Sequence, residues 1–184
     1  MKKIKLNKRV ITLVSVSVIA IVLIVVLVIL LSSRTTKKTP IDLTLDFMNN
    51  YKNATSSVIN NISYPYDDNL TDSQLNRYKE LIKSQYLGLE YEIVDENVNQ
   101  VDAVIKVEFT VLDYASSYDK ASSYLSLYES DLSNEKKNDY KLNEMSNTKE
   151  KVTYSIEFKY YKVDGTWNMT NLNSADYKKL AGVF

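Results

Sequence analysis

The stretch 151–169, KVTYSIEFKYYKVDGTWNM, carries the pattern that decides the fold of this chain. Apolar and polar side chains alternate over its first ten residues, which is the period of a strand with one buried face. Asp164-Gly165 then supplies the two central residues of a type I′ turn. Pairing across that turn sets Lys162 opposite Trp167, which predicts a β-hairpin without a bulge.

The register of this hairpin also predicts which side chains share the inner face of a sheet. Residues of one parity along a strand face one way, and the turn places Tyr160 opposite Met169. The side chains predicted on the inner face of the hairpin are Tyr154, Ile156, Phe158, Tyr160, Trp167 and Met169.

Two further strands are predicted upstream of this hairpin. The first covers Leu89–Ile93, with Tyr91 facing inward, and a polar turn is predicted at 95–100. The second covers 101–111, with Phe109 facing inward and charged or polar residues on the other side. One buried face and one solvated face are typical of an antiparallel sheet.

Helical periodicity occupies most of the remaining chain after residue 41, because apolar side chains recur there every three or four residues. The predicted helices are 42–62, then 71 or 72 to 87 with Gly88 as its stop, two helices within 114–145 that separate near Ser133-Asn134, and a short helix 175–180 capped by Ser174.

The order helix, helix, hairpin, helical connection, hairpin, helix predicts an α+β domain with helices over one face of a curved four-stranded antiparallel sheet. In this order, in the opening helix Asp42–Ile62 and in the closing turn Asp164-Gly165-Thr166-Trp167, the chain resembles the NTF2-like (cystatin-like) superfamily. In particular it looks like the membrane-anchored or lipoprotein versions found outside the cell in low-GC Gram-positive bacteria. The helical connection 114–145 is longer than a simple member of the superfamily needs.

A second feature, the run Val10–Leu31, VITLVSVSVIAIVLIVVLVILL, has 22 residues and carries no charge, no Gly and no Pro. As a helix it would rise roughly 33 Å, enough to cross the roughly 30 Å hydrocarbon core of a bilayer. A cleaved signal has a shorter apolar region and a small-residue cleavage site, and 30–34, LLSSR, offers no such site. The run therefore predicts an uncleaved transmembrane anchor, with atypical cleavage as the alternative.

Flanking charge predicts the orientation of this anchor. Five basic residues precede the run and three follow it, and basic residues stay on the cytoplasmic side. The predicted organisation is a cytoplasmic tail at 1–9, a membrane helix at 10–31, a linker at 32–40 and an extracytoplasmic NTF2-like domain at 41–184. The protein is thus expected in the cell membrane as a single-pass chain, and the absence of Cys suggests a bacterium more than a eukaryote.

Charge and composition exclude several function classes. All 23 acidic residues lie at or after Asp42, and only 15 of the 23 basic residues lie in 41–184, so that segment is acidic and is not predicted to bind nucleic acid. The chain has no His and no Cys, which excludes Ser-His-Asp sites, thiol nucleophiles and the His- or Cys-based metal sites. Its three separated glycines cannot form a phosphate-binding loop. No metal site and no cofactor are expected, because pairs such as Asp67-Asp68 lack a ligand-rich loop.

The family resemblance implies a cone between the sheet and the helices, where ketosteroid isomerases of similar architecture use Asp and Tyr. No acidic residue falls on a predicted inward strand position, so a general base is missing. Core packing is the more ordinary role for the inward tyrosines. The residues predicted to line the cone, or a ligand in it, are Tyr91, Phe109, Tyr154, Phe158, Tyr160, Trp167 and Met169.

Fifteen tyrosines also raise the possibility of an aromatic binding surface, since Tyr is enriched at interfaces. Tyr114, Tyr118, Tyr124 and Tyr128 recur along the helical connection, where a solvated or core-facing stripe is the alternative.

We therefore expect a non-enzymatic, membrane-anchored domain that mediates protein contacts or assembly at the cell surface, and by resemblance a subunit of a transfer or secretion apparatus. Its expected partners are the lipid bilayer, through residues 10–31, and a protein. The alternatives are a module that binds a small ligand or peptide and, less favoured, an isomerase-like or hydrolase-like enzyme.

The predicted topology is testable by protease digestion of intact cells after removal of the wall. We expect degradation of residues 39–184 and protection of the amino-terminal tail, because the orientation places only the tail inside. Protection of the domain would contradict the orientation, and a soluble protein starting near Ser32 would contradict the anchor.

Overall fold

A computed structural model describes residues 37–184, and the predicted tail, membrane span and most of the linker lie outside the described residues. Within 37–184 no helix is both long enough and apolar enough to cross a bilayer. The described part is an α+β domain with six helices and four strands.

The helices and strands follow the predicted order with one helix divided in two. In chain order they are α1 (Pro40–Lys52), α2 (Ser56–Ile59), α3 (Asp72–Leu87), β1 (Glu90–Val98), β2 (Asp102–Leu112), α4 (Tyr114–Tyr128), α5 (Asn134–Asn147), β3 (Lys151–Val163), β4 (Thr166–Met169) and α6 (Ser174–Leu180).

The four strands form one antiparallel sheet in the order β1-β2-β3-β4, so the predicted α+β class and sheet are confirmed. The closing hairpin has the predicted register, with Lys162 opposite Trp167 and Tyr160 opposite Met169. The turn residues Asp164 and Gly165 both have positive φ, 49° and 72°, as a type I′ turn requires.

β1 is longer than predicted, because residues 95–98 continue the strand instead of forming a turn. A bulge at Val94 lets pairing with β2 resume at Asp95, and this edge strand extends beyond the core, where both faces are solvated. An edge strand of this kind has no apolar alternation, so the sequence pattern could not reveal it.

The core lies between the sheet and the helices. The inward side chains of β2 and β3 form one cluster with buried side chains from α1, α3, α4 and α5. The largest members of this cluster that are almost entirely buried are Tyr78, Phe109, Phe158, Met48, Ile82 and Leu142.

The opening helix is shorter than predicted. α1 ends at Lys52, Ala54 takes a left-handed conformation with φ of 45°, and a single turn, α2, follows. The segment around the break, NNYKNATSS at 49–57, is rich in Asn, Ser and Thr, which are poor helix formers and compete for backbone hydrogen bonds. The predicted single helix 42–62 is therefore wrong.

The other helices begin and end close to the predicted residues. Thr71 caps α3 in a capping box with Gln74, and Ser133 caps α5. The last helix begins one residue early, with Asn173 as its cap in place of Ser174.

The buried amide of Gln85 connects α3 to two distant parts of the chain. Its Oε1 accepts from the Leu112 N–H at 2.7 Å, and its Nε2 donates to the Ala181 carbonyl at 2.7 Å and the Leu112 carbonyl at 3.3 Å. Gly182 lies directly beside this amide with φ of 69°, and a Cβ there would come within 2.2 Å of the Leu112 oxygen. Only glycine fits where the chain end meets β2.

We expect Gly182→Ala to lower the free energy of unfolding by about 2–4 kcal/mol, because it adds both left-handed strain and a backbone clash. Gly88→Ala is the matched control, since Gly88 has negative φ and its nearest atoms would lie 3.7 Å from the new Cβ. Chemical denaturation should show a change within about 1 kcal/mol for the control. Equal effects of the two substitutions would contradict the close approach at Gly182.

Candidate binding site

A cleft of about 820 Å³ opens to solvent among the helices. This volume lies within the range of typical ligand pockets. α1, α2 with its following loop, α3, α6 and the chain end all contribute to its wall. The break in the first helix shapes one side, because α2 and the loop after it turn away from the line of α1 instead of continuing it.

Aromatic rings form the floor of the cleft. Phe47 stacks on Tyr51 with ring centroids 4.9 Å apart, and Tyr51 meets Tyr86 edge to face at 5.0 Å. Tyr78 and Ile82 of α3 lie behind these rings and are almost entirely buried, so Phe47 and Tyr51 supply the accessible part of this surface. Such rings offer large contact area with fixed geometry to an apolar guest.

The polar groups of the cleft are amides, hydroxyls and one ammonium group. Asn50, Asn61, Ser57 and Ser63 contribute from the α1–α2 side, and Lys178 contributes from α6. None of the described residues that line the cleft is acidic. The cleft can therefore hydrogen-bond neutral or anionic groups of a guest, and it offers no carboxylate to a cation.

The tyrosines of the floor keep their protons at neutral pH. Burial raises the pKa of Tyr51, Tyr78 and Tyr86 well above the usual value for a phenol, because the charged phenolate is poorly solvated there. These hydroxyls can act as hydrogen-bond donors and do not supply a general base.

The seven residues predicted to line a cone do not line this cleft. Phe109, Phe158 and Tyr160 are buried in the core. The other four, which are partly buried against it, are Tyr91, Tyr154, Trp167 and Met169. The inner face of the sheet is thus packed with side chains, with Trp167 at its edge below the Lys162 ammonium, 5.0 Å from the ring centroid.

The hydroxyls of the three inward tyrosines all have partners. Tyr91 donates to the Asn49 side-chain oxygen at 3.0 Å, and Tyr154 donates to the Phe184 carbonyl at 3.1 Å. Tyr160 shares a hydrogen bond of 2.6 Å with the Thr44 hydroxyl. These bonds attach α1 and the chain end to the sheet, which is a structural role.

The cleft residues were visible in the sequence only as apolar stripes. Phe47, Tyr51, Val58 and Ile62 follow helical spacing, as do Tyr78, Ile82 and Tyr86, and such stripes predict core faces. Because the first helix breaks, the two stripes do not close completely on each other, and the gap between them is the cleft.

A polar cluster lies apart from the cleft, around Asp68. The Lys141 ammonium lies 2.9 and 3.0 Å from the two carboxylate oxygens of Asp68, and the hydroxyls of Tyr118 and Tyr64 donate to the same carboxylate. Burial by itself would raise the pKa of Asp68, but the hydrogen bonds from Tyr118 and Lys141 outweigh it, so this pKa lies below the usual value. The cluster ties the loop after α2 to the α4–α5 pair.

The tyrosines of the helical connection divide between core and surface. Tyr114 and Tyr118 are buried, whereas Tyr124 and Tyr128 are exposed together with Leu127, at 41, 71 and 74 % respectively. Tyr124 contacts the rings of Tyr128 and Tyr140 at 5.2 and 5.5 Å. We call Tyr124, Leu127 and Tyr128 the aromatic patch.

Comparisons with family models, curated proteins and solved structures find no match for this chain. In residues 37–184, no group of three or more acidic side chains is arranged to hold a metal ion.

We expect Asp68→Asn to lower the free energy of unfolding at pH 7 by about 1–3 kcal/mol, because Lys141 then stays largely buried, with 12 % exposure, without its counter-ion. The pKa of Asp68 is lowered in the folded state, so the ionised carboxylate stabilises the fold of the unaltered chain. This stabilisation is present above the unfolded-state pKa of about 3.9 and is lost as pH falls through the folded-state pKa. The unaltered chain and Asp68→Asn should therefore have the same free energy of unfolding below the folded-state pKa of Asp68.

Asp67→Asn is the matched control for this measurement, since Asp67 is the next residue to Asp68 and its side chain is exposed. Urea denaturation from pH 7 down to acid pH gives the comparison. Parallel profiles for Asp68→Asn and the unaltered chain would contradict the structural role of the ion pair.

Proposed function

We propose that this chain is a membrane-anchored, non-enzymatic domain that holds a segment of another protein at the cell surface. The observation that carries the proposal is the cleft with its floor of aromatic rings and rim of amide and hydroxyl groups. The membrane attachment rests on the apolar run Val10–Leu31 and its flanking charges.

Binding is favoured over catalysis by the chemistry of the lining. Acid–base catalysis needs a group with a pKa near the working pH within reach of the substrate. The cleft has no carboxylate among its described lining residues, and its buried tyrosines have raised pKa values. The partly buried carboxylate of Asp68 lies outside the cleft, where it is bound by Lys141 and two tyrosines.

A protein segment fits this lining better than a cation or a nucleic acid. Apolar side chains of a peptide can lie on Phe47 and Tyr51, while its main-chain groups meet the amides of Asn50 and Asn61. Peptide-binding grooves combine apolar pockets with such polar contacts. A small apolar ligand would use the same surfaces and is the alternative.

The aromatic patch favours a second form of the same proposal, in which the domain assembles with a larger complex. Exposed tyrosine and leucine side chains that are close together are typical of interfaces. Membership of a transfer or secretion apparatus rests on the family resemblance alone, which is an argument from fold analogy.

Photo-crosslinking in cells tests the cleft directly. Tyr177 on its rim is replaced by p-benzoylphenylalanine, and Tyr161 on the sheet, which is also exposed, is the matched control. We expect a discrete protein adduct from position 177 and none from position 161. Val58→Trp should abolish the adduct, because the indole occupies the cleft. Thermal unfolding of this variant should stay cooperative, which shows that it is folded.

The mass of the adduct distinguishes the two ligand classes. An adduct of protein size supports a protein segment, whereas an added mass below about 2 kDa indicates the small-ligand alternative. Equal crosslinking at positions 177 and 161, or crosslinking that persists in Val58→Trp, would overturn the assignment of the cleft as the binding site.

A further inference from the structure

One edge of the sheet is open along half of β3. β4 pairs only with residues 160–163 of the 13-residue β3, and one more backbone bond joins Thr170 to Lys159. On the same side, residues 151–157 have no partner strand in the part of the chain that the structure describes. An open edge of seven residues is a template for pairing with another strand.

The hydrogen-bond pattern shows which backbone groups face this open side. The Lys162 N–H donates to the Val101 carbonyl of the β2 side, whereas the Lys159 carbonyl accepts from Thr170 on the β4 side. Backbone groups alternate in direction along a strand. The N–H and C=O groups of Lys151, Thr153, Ser155 and Glu157 therefore point outward.

We propose that this edge pairs antiparallel with the same edge of a second copy of the chain, centred on Tyr154. A two-fold axis through the two Tyr154 residues places Lys151 opposite Glu157 of the second copy, and Thr153 opposite Ser155. The outward backbone groups of the two strands then lie directly opposite one another, as an antiparallel ladder requires. The contact is isologous, so every pair occurs twice.

Charge selects this register from its neighbours. The ladder keeps its hydrogen bonds only when the register shifts by two residues, and each such shift moves the centre of the symmetric pairing by one residue. A centre at Ser155 would set Lys151 opposite Lys159, and a centre at Thr153 would set Lys151 opposite Ser155. Among these three centres, and for pairs formed within the strand Lys151–Val163, only the centre at Tyr154 gives two ion pairs, and opposite charges stabilise such pairs while like charges destabilise them.

The inward side chains are compatible with the same register. Val152 lies opposite Ile156 of the second copy, and the two Tyr154 residues lie opposite each other at the axis. Lys151 and Glu157 are both exposed, so the two charges can pair without loss of a buried contact. Glu157 gives up only an exposed contact of 3.8 Å with Lys159.

The symmetry of this pairing also determines where the helices of the two copies lie. In an antiparallel pair within one sheet, the two-fold axis is perpendicular to the sheet, so the helices of both copies lie on the same side. The eight strands of the two copies then form one continuous sheet, with the two β3 strands side by side at its centre. The pairing uses no residue of the cleft and leaves both clefts open.

Disulfide trapping of the full chain in detergent tests the register. The chain has no Cys, so Tyr154→Cys is a unique reporter, and the two thiols would lie across a non-hydrogen-bonded pair at a Cα separation that allows a disulfide. We expect crosslinking at least tenfold faster than for Glu96→Cys, the matched control on the open edge of β1.

Charge reversal tests the ion pairs in the Tyr154→Cys background. Lys151→Glu alone and Glu157→Lys alone should each slow crosslinking at least tenfold, because each sets like charges opposite each other. The double variant should restore the rate, and so should a mixture of the two single variants, since only their heterodimer regains both opposite-charge pairs.

Sedimentation of the same charge variants without the added Cys repeats the test with Tyr154 intact, and matched circular dichroism shows that each variant is folded. Loss of the dimer in both single variants and its return in the double variant supports the pairing. Crosslinking at position 154 no faster than at position 96, or rates unaffected by charge reversal, overturns it.

Discussion

The side-chain amide of Gln85 is the contact on which the arrangement of the domain depends. It joins the last turn of α3 to the end of β2 and to the carbonyl of Ala181. Each of its polar atoms is bonded, and loss of one partner inside a protein costs about 1–3 kcal/mol. Because Gly182 packs against this amide without a side chain, α6 is held against α3. Without that attachment the cleft would lose one wall.

The packed core and the cleft occupy different parts of the domain. The inner face of the sheet is filled by large side chains such as Phe109 and Phe158, so it supplies apolar burial. The gap among α1, α3 and α6 is accessible to solvent. A guest in the cleft would contact the ends and surfaces of helices, which tolerate substitution better than a sheet core does. The ion pair of Asp68 and Lys141 attaches the loop between α2 and α3 to α5.

Short-range patterns in the sequence predicted the sheet better than they predicted the cleft. The hairpin 151–169 was predicted to the residue, because alternation and an Asp-Gly turn together determine both register and face. The break at Ala54 was missed, since apolar spacing continues through a segment where local side-chain bonds stop the helix. The pair of Asp68 and Lys141 was missed because the two residues are 73 positions apart. The cleft forms because the apolar stripe of α1 and α2 does not close completely on that of α3. The spacing of apolar residues along the sequence does not predict how completely two stripes pack.

The lone tryptophan gives the molecule a built-in optical reporter. Trp167 is the only indole of a chain with fifteen tyrosines, and it lies half-buried on the shortest strand, beneath the ammonium of Lys162. Its emission therefore reports on the β3–β4 hairpin separately from the rest of the fold. Energy transfer from the surrounding tyrosines to this indole follows the compactness of the whole domain. Selective excitation of the indole and joint excitation of both chromophores would thus separate fraying of the hairpin from global unfolding in one unlabelled sample.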